Sequence, residues 1–270
     1  MSRAPREHNV PFVVRSYEVE PDGRLRLVVL LRMLQEAAWQ HADLLGKGFA
    51  QRTGGAYFWV LSRLRCRISR YPRWGDRLTI RTFPVGTEKL LAIREFSIHD
   101  ESGAVIGRAA SGWLVVDGGR GRPVRPEPVV ADIVATPSEY DGDVDRLEAL
   151  ATSRSVGPFP VRYHDIDQYR HVNNASYLEW VLDALDPPQL MGRQAEELAV
   201  DFLKEALLGD GYRVSLASDG ATERFEVIRT SDDQACARGY LRLAASSAAA
   251  DSVDAAGADA AGVDHGSDGR

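Results

Sequence analysis

The sequence predicts an α+β protein made of two similar units, each a helix followed by several antiparallel strands. Length, hydropathy pattern and a repeat of turn motifs support this prediction. The 270 residues suit two domains of roughly 100–150 residues each. Apolar residues make up 44% of the chain and charged residues 27%, which are ordinary values for soluble globular proteins. Each unit can therefore bury a hydrophobic core.

Each predicted unit begins with an amphipathic helix. The first runs from about Leu27 to Leu45 and the second from about Ala175 to Leu185, with apolar residues recurring along one side of each. A helix followed by antiparallel strands, twice, predicts two sheets that each wrap one helix. The predicted strands are Tyr57–Ser69, Arg77–Val85, Leu91–Asp100 and Val105–Val116 in the first unit, and Glu197–Ala206, Tyr212–Ala217, Arg224–Ser231 and Ala235–Leu243 in the second.

Turn motifs recur between the two units. Trp74–Asp76 precedes a predicted strand in the first unit, and Leu208–Asp210 does so in the second, 134 positions later. Likewise Ser111–Leu114 matches Arg238–Leu241, 127 positions later. Because both the order and the spacing agree, we predict a duplicated α+β unit.

Composition places the boundaries of the units. Residues 1–126 form the first predicted unit and residues 158–243 the second. Periodicity is weak in the linker at 127–157, where one short helix is expected around Val144–Thr152. Residues 244–270 are rich in Ala, Ser, Gly and Asp and lack aromatic residues, Leu and Ile. Such a tail buries too little apolar surface to offset its ordering entropy, so we predict that it is disordered.

Charge and motif content exclude several classes of protein. A net charge of −6 argues against a protein that coats nucleic acid. The two cysteines, Cys66 and Cys236, are too few for a disulfide framework and lack zinc-ligand spacing. The N-terminus has no apolar signal segment, and no stretch is long enough to span a bilayer. Nucleophile-elbow, P-loop and dinucleotide-binding motifs are absent from the sequence. We expect a cytosolic protein without a membrane or nucleic-acid partner.

Polar side chains concentrate in residues 163–174, directly before the second helix. Two Asp, two His and two Asn lie in this run. Either Asn can cap the helix, whose free N–H groups would then polarise a carbonyl oxygen. Asp167 can hold His171, and His171 can orient a water or a base. The residues alone leave two other interpretations open, a polar loop that only caps the helix and a metal site. The metal ligands would be His164, Asp165, Asp167 and His171.

The same run carries a resemblance to a known family. His171–Asn174, preceded by Asp165–Asp167, resembles the second half of the acyl-acyl-carrier-protein (acyl-ACP) thioesterases of plants and bacteria. Tyr177 and Trp180 on the following helix fit the same pattern, and the whole resemblance covers about residues 12–243. The segments of the first half that agree are Leu34–Ala38 with His41, Trp59–Leu61, Trp74–Asp76 and the run from Trp113 through Asp117 to Arg122 and Pro123.

This resemblance implies a fold and an activity. The family fold is a tandem pair of hotdog units, each an antiparallel sheet wrapped around a long central helix. Family members hydrolyse the thioester between a fatty acyl chain and the phosphopantetheine arm of acyl carrier protein (ACP), without a metal or organic cofactor. The first unit holds the acyl chain, which implies that Leu34 and Trp59 bind it.

The family active site lies in the second unit, at an Asp-x-Asn-x-His motif. Asp167 and His171 match this motif, whereas Tyr169 stands where the family has Asn. The family Glu, 34 positions after the His, matches Glu205, and Ala206 replaces the Cys that often follows it in plant members. The resemblance implies that Glu205 activates a water, that His171 orients the water or the base, and that Asp167 holds the arrangement.

Other roles and other interpretations stay open at this point. The resemblance implies that backbone N–H groups near Asn174 polarise the thioester carbonyl. Without the resemblance, Glu205 would be an exposed residue at a strand end. Cys236 is either a small buried core residue or a nucleophile paired with His171. The replacement at Tyr169 keeps open a protein that binds acyl thioesters without hydrolysing them.

Three arginines on one predicted strand suggest a docking surface. Arg63, Arg65 and Arg67 alternate with apolar residues, so they would face the same way. Because ACPs are acidic, we expect this strip to dock the carrier, and a solvated strand face is the other interpretation. An acyl-CoA thioesterase of the hotdog superfamily is the second functional candidate. With two units in one chain a monomer would suffice, and a homodimer stays open.

Overall fold

A computed structural model describes residues 5–48, 57–186, 190 and 192–244 of the chain. The helices found there are α1 (Leu27–Leu44), α2 (Glu127–Val130) and α3 (Asn174–Ala184). The strands are β1 (His8–Val13), β2 (Tyr57–Ile68), β3 (Arg77–Glu88), β4 (Leu91–Asp100), β5 (Val105–Asp117), β6 (Arg122–Val124), β7 (Arg154–Pro160), β8 (Ala195–Phe202), β9 (Gly211–Ser218), β10 (Thr222–Arg229) and β11 (Gln234–Leu243).

All strands belong to one antiparallel sheet. Its order is β1-β3-β4-β5-β2-β8-β11-β10-β9-β7, and the short β6 pairs with β5 beside this path. The first five strands and the last five follow the same order from edge to centre. Strands β2 and β8 join the two halves, with Arg63 opposite Asp201 and Arg67 opposite Glu197. A large antiparallel sheet with few helices confirms the α+β prediction.

The helices bury one face each against this sheet. Helix α1 packs on β1 and β3, α3 packs on β9 and β10, and the two helices touch each other. Gly46, at φ +68°, follows α1 and ends it, because this left-handed conformation favours glycine. Asn173 caps the start of α3. The helix–sheet interface is the hydrophobic core, which includes the buried Leu30 and Leu34 of α1 and Leu178 and Val181 of α3.

The two edge strands, like the short β6 and α2, are elements that the hydropathy pattern does not predict. Strands β1 and β7 form the outer edges of the sheet. Pro11 lies in β1, and Pro158 and Pro160 lie in β7. Proline donates no hydrogen bond and is tolerated at sheet edges, but it interrupts the alternation that identifies a strand. Strand β7 starts at Arg154, so the linker predicted at 127–157 includes the start of the second half of the sheet.

The helix predicted around Val144–Thr152 is wrong, since this segment has no helical residue. Its peptide groups bind side chains of the sheet instead of one another. The Arg63 guanidinium donates to the Val144 carbonyl at 2.5 Å, and the Leu147 N–H donates to the Asp201 carboxylate at 2.8 Å. The segment is therefore held extended across the junction between β2 and β8.

The predicted disordered tail lies outside the described residues, apart from Ala244. Within the residues that the structure describes, no helix is long and apolar enough to span a membrane.

Candidate active site

The loop between β7 and α3 is shaped by Asp167. The Asp167 Oδ1 atom accepts a hydrogen bond from the Tyr169 N–H at 2.8 Å. The Asp167 N–H donates to the His171 carbonyl, also at 2.8 Å. Arg170 adopts φ +66° at the tip of this turn. Asp167 therefore fixes the loop that presents His171, and it does so through backbone groups.

The side chains of His171 and Glu205 meet, although they are far apart in sequence. His171 Nε2 lies 3.3 Å from Glu205 Oε2, and the two side chains are 45% and 61% exposed. The Val172 N–H donates to the Ala206 carbonyl at 2.9 Å, and His171 pairs with Leu207 in an isolated bridge. These backbone bonds join the loop after β8 to the loop before α3, so the pair is held at a solvent-accessible position.

Two further residues position Glu205, and the sequence does not assign this role to either. The Tyr177 hydroxyl accepts the Ala206 N–H at 2.9 Å and donates to the Lys204 carbonyl at 3.4 Å, so it grips both neighbours of Glu205. Arg229 donates to the Glu205 carbonyl at 2.7 Å. Burial raises the pKa of the Tyr177 phenol, which therefore stays protonated. The only sequence signal for Tyr177 is its place in the family pattern, because its spacing fits the apolar side of a helix.

The start of α3 lies directly after His171 and Val172. The Asn173 side chain accepts the Ala175 N–H at 2.9 Å, so Asn173 is the N-cap and Asn174 is the first helical residue. The cap also accepts the Ser176 N–H through its carbonyl at 2.9 Å. This leaves the Asn174 N–H as the first-turn donor that the cap does not use. It adjoins the positive end of the helix dipole, where a developing negative charge is stabilised.

Tyr169 connects this loop to the other half of the molecule. Its ring stacks on Trp39 of α1, with ring centroids 6.0 Å apart and an angle of 13° between the planes. Its hydroxyl accepts a hydrogen bond from Gln168 Nε2 at 3.2 Å. The residue in the family's Asn position therefore points an aromatic face at α1.

Trp39 is also part of an apolar pocket between α1 and the sheet of the N-terminal half. Trp59, predicted to bind substrate, lies in its wall, and its indole N–H donates to the Lys47 carbonyl at 3.1 Å. Leu34, also predicted to bind substrate, is 1% exposed and belongs to the core rather than to this wall, so its contact with substrate stays a prediction. The remaining wall is mostly aromatic and aliphatic, with Ala38, Ala42, Leu45, Pro84, Ala92, Ile93, Trp113, Val130, Ile133 and Ala135.

Arg94, which with Lys47 is one of two cationic residues in the wall of the pocket, lies beside a buried histidine. Arg94 Nη1 is 2.9 Å from His41 Nδ1 and 3.1 Å from Thr82 Oγ1. Because a guanidinium only donates, His41 Nδ1 accepts and its Nε2–H donates to the Pro5 carbonyl at 3.1 Å. Burial, with the Arg94 charge, lowers the pKa of His41 to about 4. His41 is therefore neutral at pH 7.

Comparisons with known proteins show the family to which the chain belongs. The family models of the acyl-ACP thioesterase N-terminal domain and C-terminal domain match residues 5–136 and 148–240. The chain belongs to the acyl-ACP thioesterase family. The boundary between the two models falls inside the predicted linker at 127–157.

Several members of this family resemble most of the chain. A chloroplastic palmitoyl-acyl carrier protein thioesterase of Cuphea hookeriana is 29% identical over 72% of this chain and 50% of its own length. The chloroplastic oleoyl-acyl carrier protein thioesterase 1 of Arabidopsis thaliana is 30% identical over 74% of this chain and 60% of its own length. The chain thus spans about half to three-fifths of these relatives. The crystal structure of an acyl-ACP thioesterase from Bacteroides thetaiotaomicron shares the fold, with a TM-score of 0.80 at 24% identity over 90% of this chain and all of that one.

In this family member the predicted arginine strip is not an open surface. Arg65 is 5% exposed and donates to the Asp201 carboxylate at 2.8 Å. Arg63 and Arg67 donate to carbonyls of the extended linker, and Arg67 also lies over the Tyr140 ring. The strand alternation is as predicted, but the linker covers this face at Arg63 and Arg65, whereas Arg67 is exposed. A buried, paired guanidinium cannot dock a partner, so the expectation is wrong for Arg65, and the partners of Arg63 and Arg67 weaken it there.

Cys236 does not have the properties of a nucleophile. It is buried, its Sγ lies 3.9 Å from the Glu205 carbonyl oxygen, and burial raises its pKa. A reactive cysteine needs a lowered pKa, because the thiolate is the attacking species. Of the two interpretations, the structure therefore favours a small buried core residue over a nucleophile paired with His171. Within the described part of the chain, no three His, Cys, Asp or Glu side chains group as metal ligands.

The N-terminal half repeats the backbone of the active-site loop. A 3-10 turn over Ser16–Glu18 matches the one over Tyr163–Asp165. In each turn the last residue's carboxylate accepts a hydrogen bond from the backbone N–H of the Arg that precedes the turn. The Leu25 N–H donates to the Pro72 carbonyl at 2.8 Å, as the Val172 N–H does to Ala206. By this correspondence, Arg24 stands in the place of His171 and Tyr71 in the place of Glu205. Among the described residues, the equivalent positions of the N-terminal half therefore do not carry a His–Glu pair.

Proposed function

We propose that this protein hydrolyses fatty acyl-ACP to a free fatty acid and holo-ACP. The observation that carries the proposal is the 3.3 Å contact between His171 and Glu205 at the start of α3. Family membership and the apolar pocket that adjoins Tyr169 through Trp39 support it. The names of the relatives support ACP as the carrier of the substrate.

The proposed reaction is direct attack by water. Glu205 takes a proton from water, and the water oxygen bonds to the thioester carbon. His171, in contact with Glu205, orients the carboxylate and the water. The negative charge that develops on the carbonyl oxygen lies against the Asn174 N–H at the start of α3. The carbon–sulfur bond then breaks, and the departing thiolate takes up the proton that Glu205 received.

We further propose that the two halves are a tandem pair of hotdog units. The repeated strand order and the placement of one helix on each half of the sheet support this description. In it, α1 is the central helix of the N-terminal unit and α3 that of the C-terminal unit. The apolar pocket beside α1 would hold the acyl chain, since alkyl groups gain free energy when they leave water.

The replacement of the family Asn by Tyr169 favours one other function, an acyl-thioester binder without hydrolytic activity. The experiment that separates the candidates is thiol release from one set of acyl chains, each presented on ACP and on CoA. Faster release from ACP is the expected result. Faster release from CoA would favour the acyl-CoA thioesterase instead. Binding of acyl-ACP with no release from either carrier would favour the binder. A cytosolic location stays a prediction.

A further inference from the structure

We propose that Tyr169 and Trp39 form an aromatic wall at the passage between the catalytic pair and the apolar pocket, and that this wall contacts the acyl chain and determines which chain lengths are accepted. The inference rests on the proposed thioesterase function. It assigns to Tyr169 a role in specificity, in place of the polar role of the Asn that the family has there.

The position of Tyr169 is fixed relative to the chemistry. It lies two residues from both Asp167 and His171, and its N–H is held by the Asp167 carboxylate at 2.8 Å. His171 in turn contacts Glu205 at 3.3 Å. The Tyr169 ring is therefore attached to the same short loop as the imidazole.

The position of Trp39 is fixed relative to the pocket. It lies on the part of α1 that lines the cavity, next to Ala38 and one helical turn before Ala42. Its stacking with Tyr169 joins the active-site loop of one half to the acyl pocket of the other. We therefore place these two rings on the route of a chain that reaches from the thioester into the pocket.

The arrangement of the rings suits an alkyl chain. Both residues are half-buried, so each keeps an accessible surface while the stack orders it. Aromatic rings offer large, rigid, apolar area at low entropic cost. The Tyr169 hydroxyl sits beside the Gln168 amide at 3.2 Å, so its polar end has a partner away from an alkyl ligand. Each methylene group that the wall covers is worth about fourfold in affinity.

The test compares kcat and KM of the full-length protein on acetyl-, octanoyl- and palmitoyl-ACP. Tyr169→Ala is expected to raise KM for the two longer chains by about 4- to 16-fold, as for one or two lost methylene contacts, with little change for acetyl-ACP. Trp39→Ala should have a similar chain-dependent effect, and the double variant should add little to either. Tyr169→Phe is the matched control, because it keeps the ring and removes the hydroxyl. It should keep the wild-type ratio of KM between acetyl- and palmitoyl-ACP, because that ratio depends on the ring.

Three results would overturn the proposal. One is a large loss of kcat in Tyr169→Phe, which would make the hydroxyl part of the chemistry. Another is an equal change for all three chains in Tyr169→Ala. The third is no change in that variant at all. If Tyr169→Ala fails to fold, the chain dependence of KM in Trp39→Ala tests the same wall from its other ring. Wild-type turnover in the same assay tests the proposed function separately, since its absence would reject the function before any variant is compared.

Discussion

The loops before the two helices have one backbone and different side chains. Residues 15–27 and 162–174 share a 3-10 turn, a tight turn at positive φ and the same hydrogen bond to the loop after the next strand, from Leu25 to Pro72 and from Val172 to Ala206. At the tip, however, Gly23 occupies the place of Arg170, and Arg24 that of His171. The N-terminal loop pairs Arg24 with Asp22 at 2.6 Å, whereas the C-terminal loop presents an imidazole to Glu205. The fold supplies the geometry twice, and the side chains decide where it can carry chemistry.

The helices that follow these loops differ in length, and the longer one contributes residues to the apolar pocket. Helix α1 has 18 residues and α3 has 11. The extra turns of α1 carry Trp39 and Ala42, which line the pocket. In the C-terminal half, Pro187 follows soon after the end of α3, and aromatic rings fill the interior, with Trp180 stacked on Tyr212 at 3.7 Å. The apolar pocket lies in one half, and the His171–Glu205 pair lies in the other.

The largest effect on kcat is expected when His171 is replaced, and the equivalent residue of the other loop provides the control. His171→Gln should lower kcat on acyl-ACP by about 10²–10⁴-fold, the usual contribution of a group that assists proton transfer. Arg24→Gln, at the equivalent position of the other loop, should leave kcat near the wild-type value. The measurement is steady-state thiol release from palmitoyl-ACP. Comparable losses in both variants would contradict the assignment of chemistry to one half.

Filling the pocket should change specificity and leave the chemistry intact. Ala42→Trp places an indole in the pocket wall and should raise KM for palmitoyl-ACP by roughly 10-fold or more, in the range that steric exclusion from an apolar pocket provides. The kcat on a short acyl chain should be retained. Leu44→Trp, two residues along α1 at an exposed position, is the matched control. Equal effects of both variants would show that the pocket does not hold the chain.

Two tyrosine hydroxyls, those of Tyr177 and Tyr71, allow an effect on the position of Glu205 to be distinguished from an effect on the stability of the fold. Tyr177→Phe removes the acceptor of the Ala206 N–H and should cost about 1 kcal/mol of unfolding free energy and roughly 10-fold in kcat. Tyr71→Phe, at the place equivalent to Glu205, removes a bond to the Ala195 carbonyl. It should cost a similar free energy without lowering kcat. Denaturant unfolding and thiol release measure the two quantities. A loss of kcat in Tyr71→Phe as large as in Tyr177→Phe would mean that stability alone explains both.

The smallest effect concerns stability at mildly acidic pH. Since the folded pKa of His41 is about 4 against a usual 6.5, the unfolded chain binds more protons between these values, and folding loses stability as pH falls through this window. Arg94, His8 and Glu7 are the charged or titratable groups that face the ring. His41→Gln keeps one acceptor and one donor but does not titrate. Between pH 7 and 5 it should lose about 1–2 kcal/mol less than wild type in unfolding free energy. Parallel pH profiles for the two proteins would contradict this.

Periodicity predicts the elements whose burial depends on local spacing. Helix α1 and strand β4 match their predicted ranges to within one residue, because their apolar residues face one core. Strand β7 was missed because its prolines interrupt the pattern, which an edge strand tolerates. The same limit applies to Val144–Thr152, whose conformation depends on bonds to Arg63 and Asp201 from distant strands.

In the candidate site, too, the sequence predicts what depends on neighbouring residues and not what depends on distant contacts. Asp167 and His171 lie within one loop, so the sequence alone brings them together. Glu205 is 34 positions away, and only the family resemblance links it to His171. The role of Tyr177 is not evident from spacing, since a tyrosine on the apolar side of a helix looks like a core residue until its hydroxyl is seen to bind Ala206.

In the proposed function, the N-terminal half binds the acyl chain and the C-terminal half hydrolyses the thioester. The most direct test uses Glu205→Gln, a nearly isosteric change that removes the proposed base. Its affinity for palmitoyl-ACP and its rate of thiol release would be measured on the same preparation. We predict an affinity within about twofold of wild type, since the pocket is untouched, and a release rate lowered by about 10²-fold or more. Release near the wild-type rate would show that Glu205 is not the base. A loss of affinity as large as the loss of rate would show that binding and hydrolysis are not separated between the two halves.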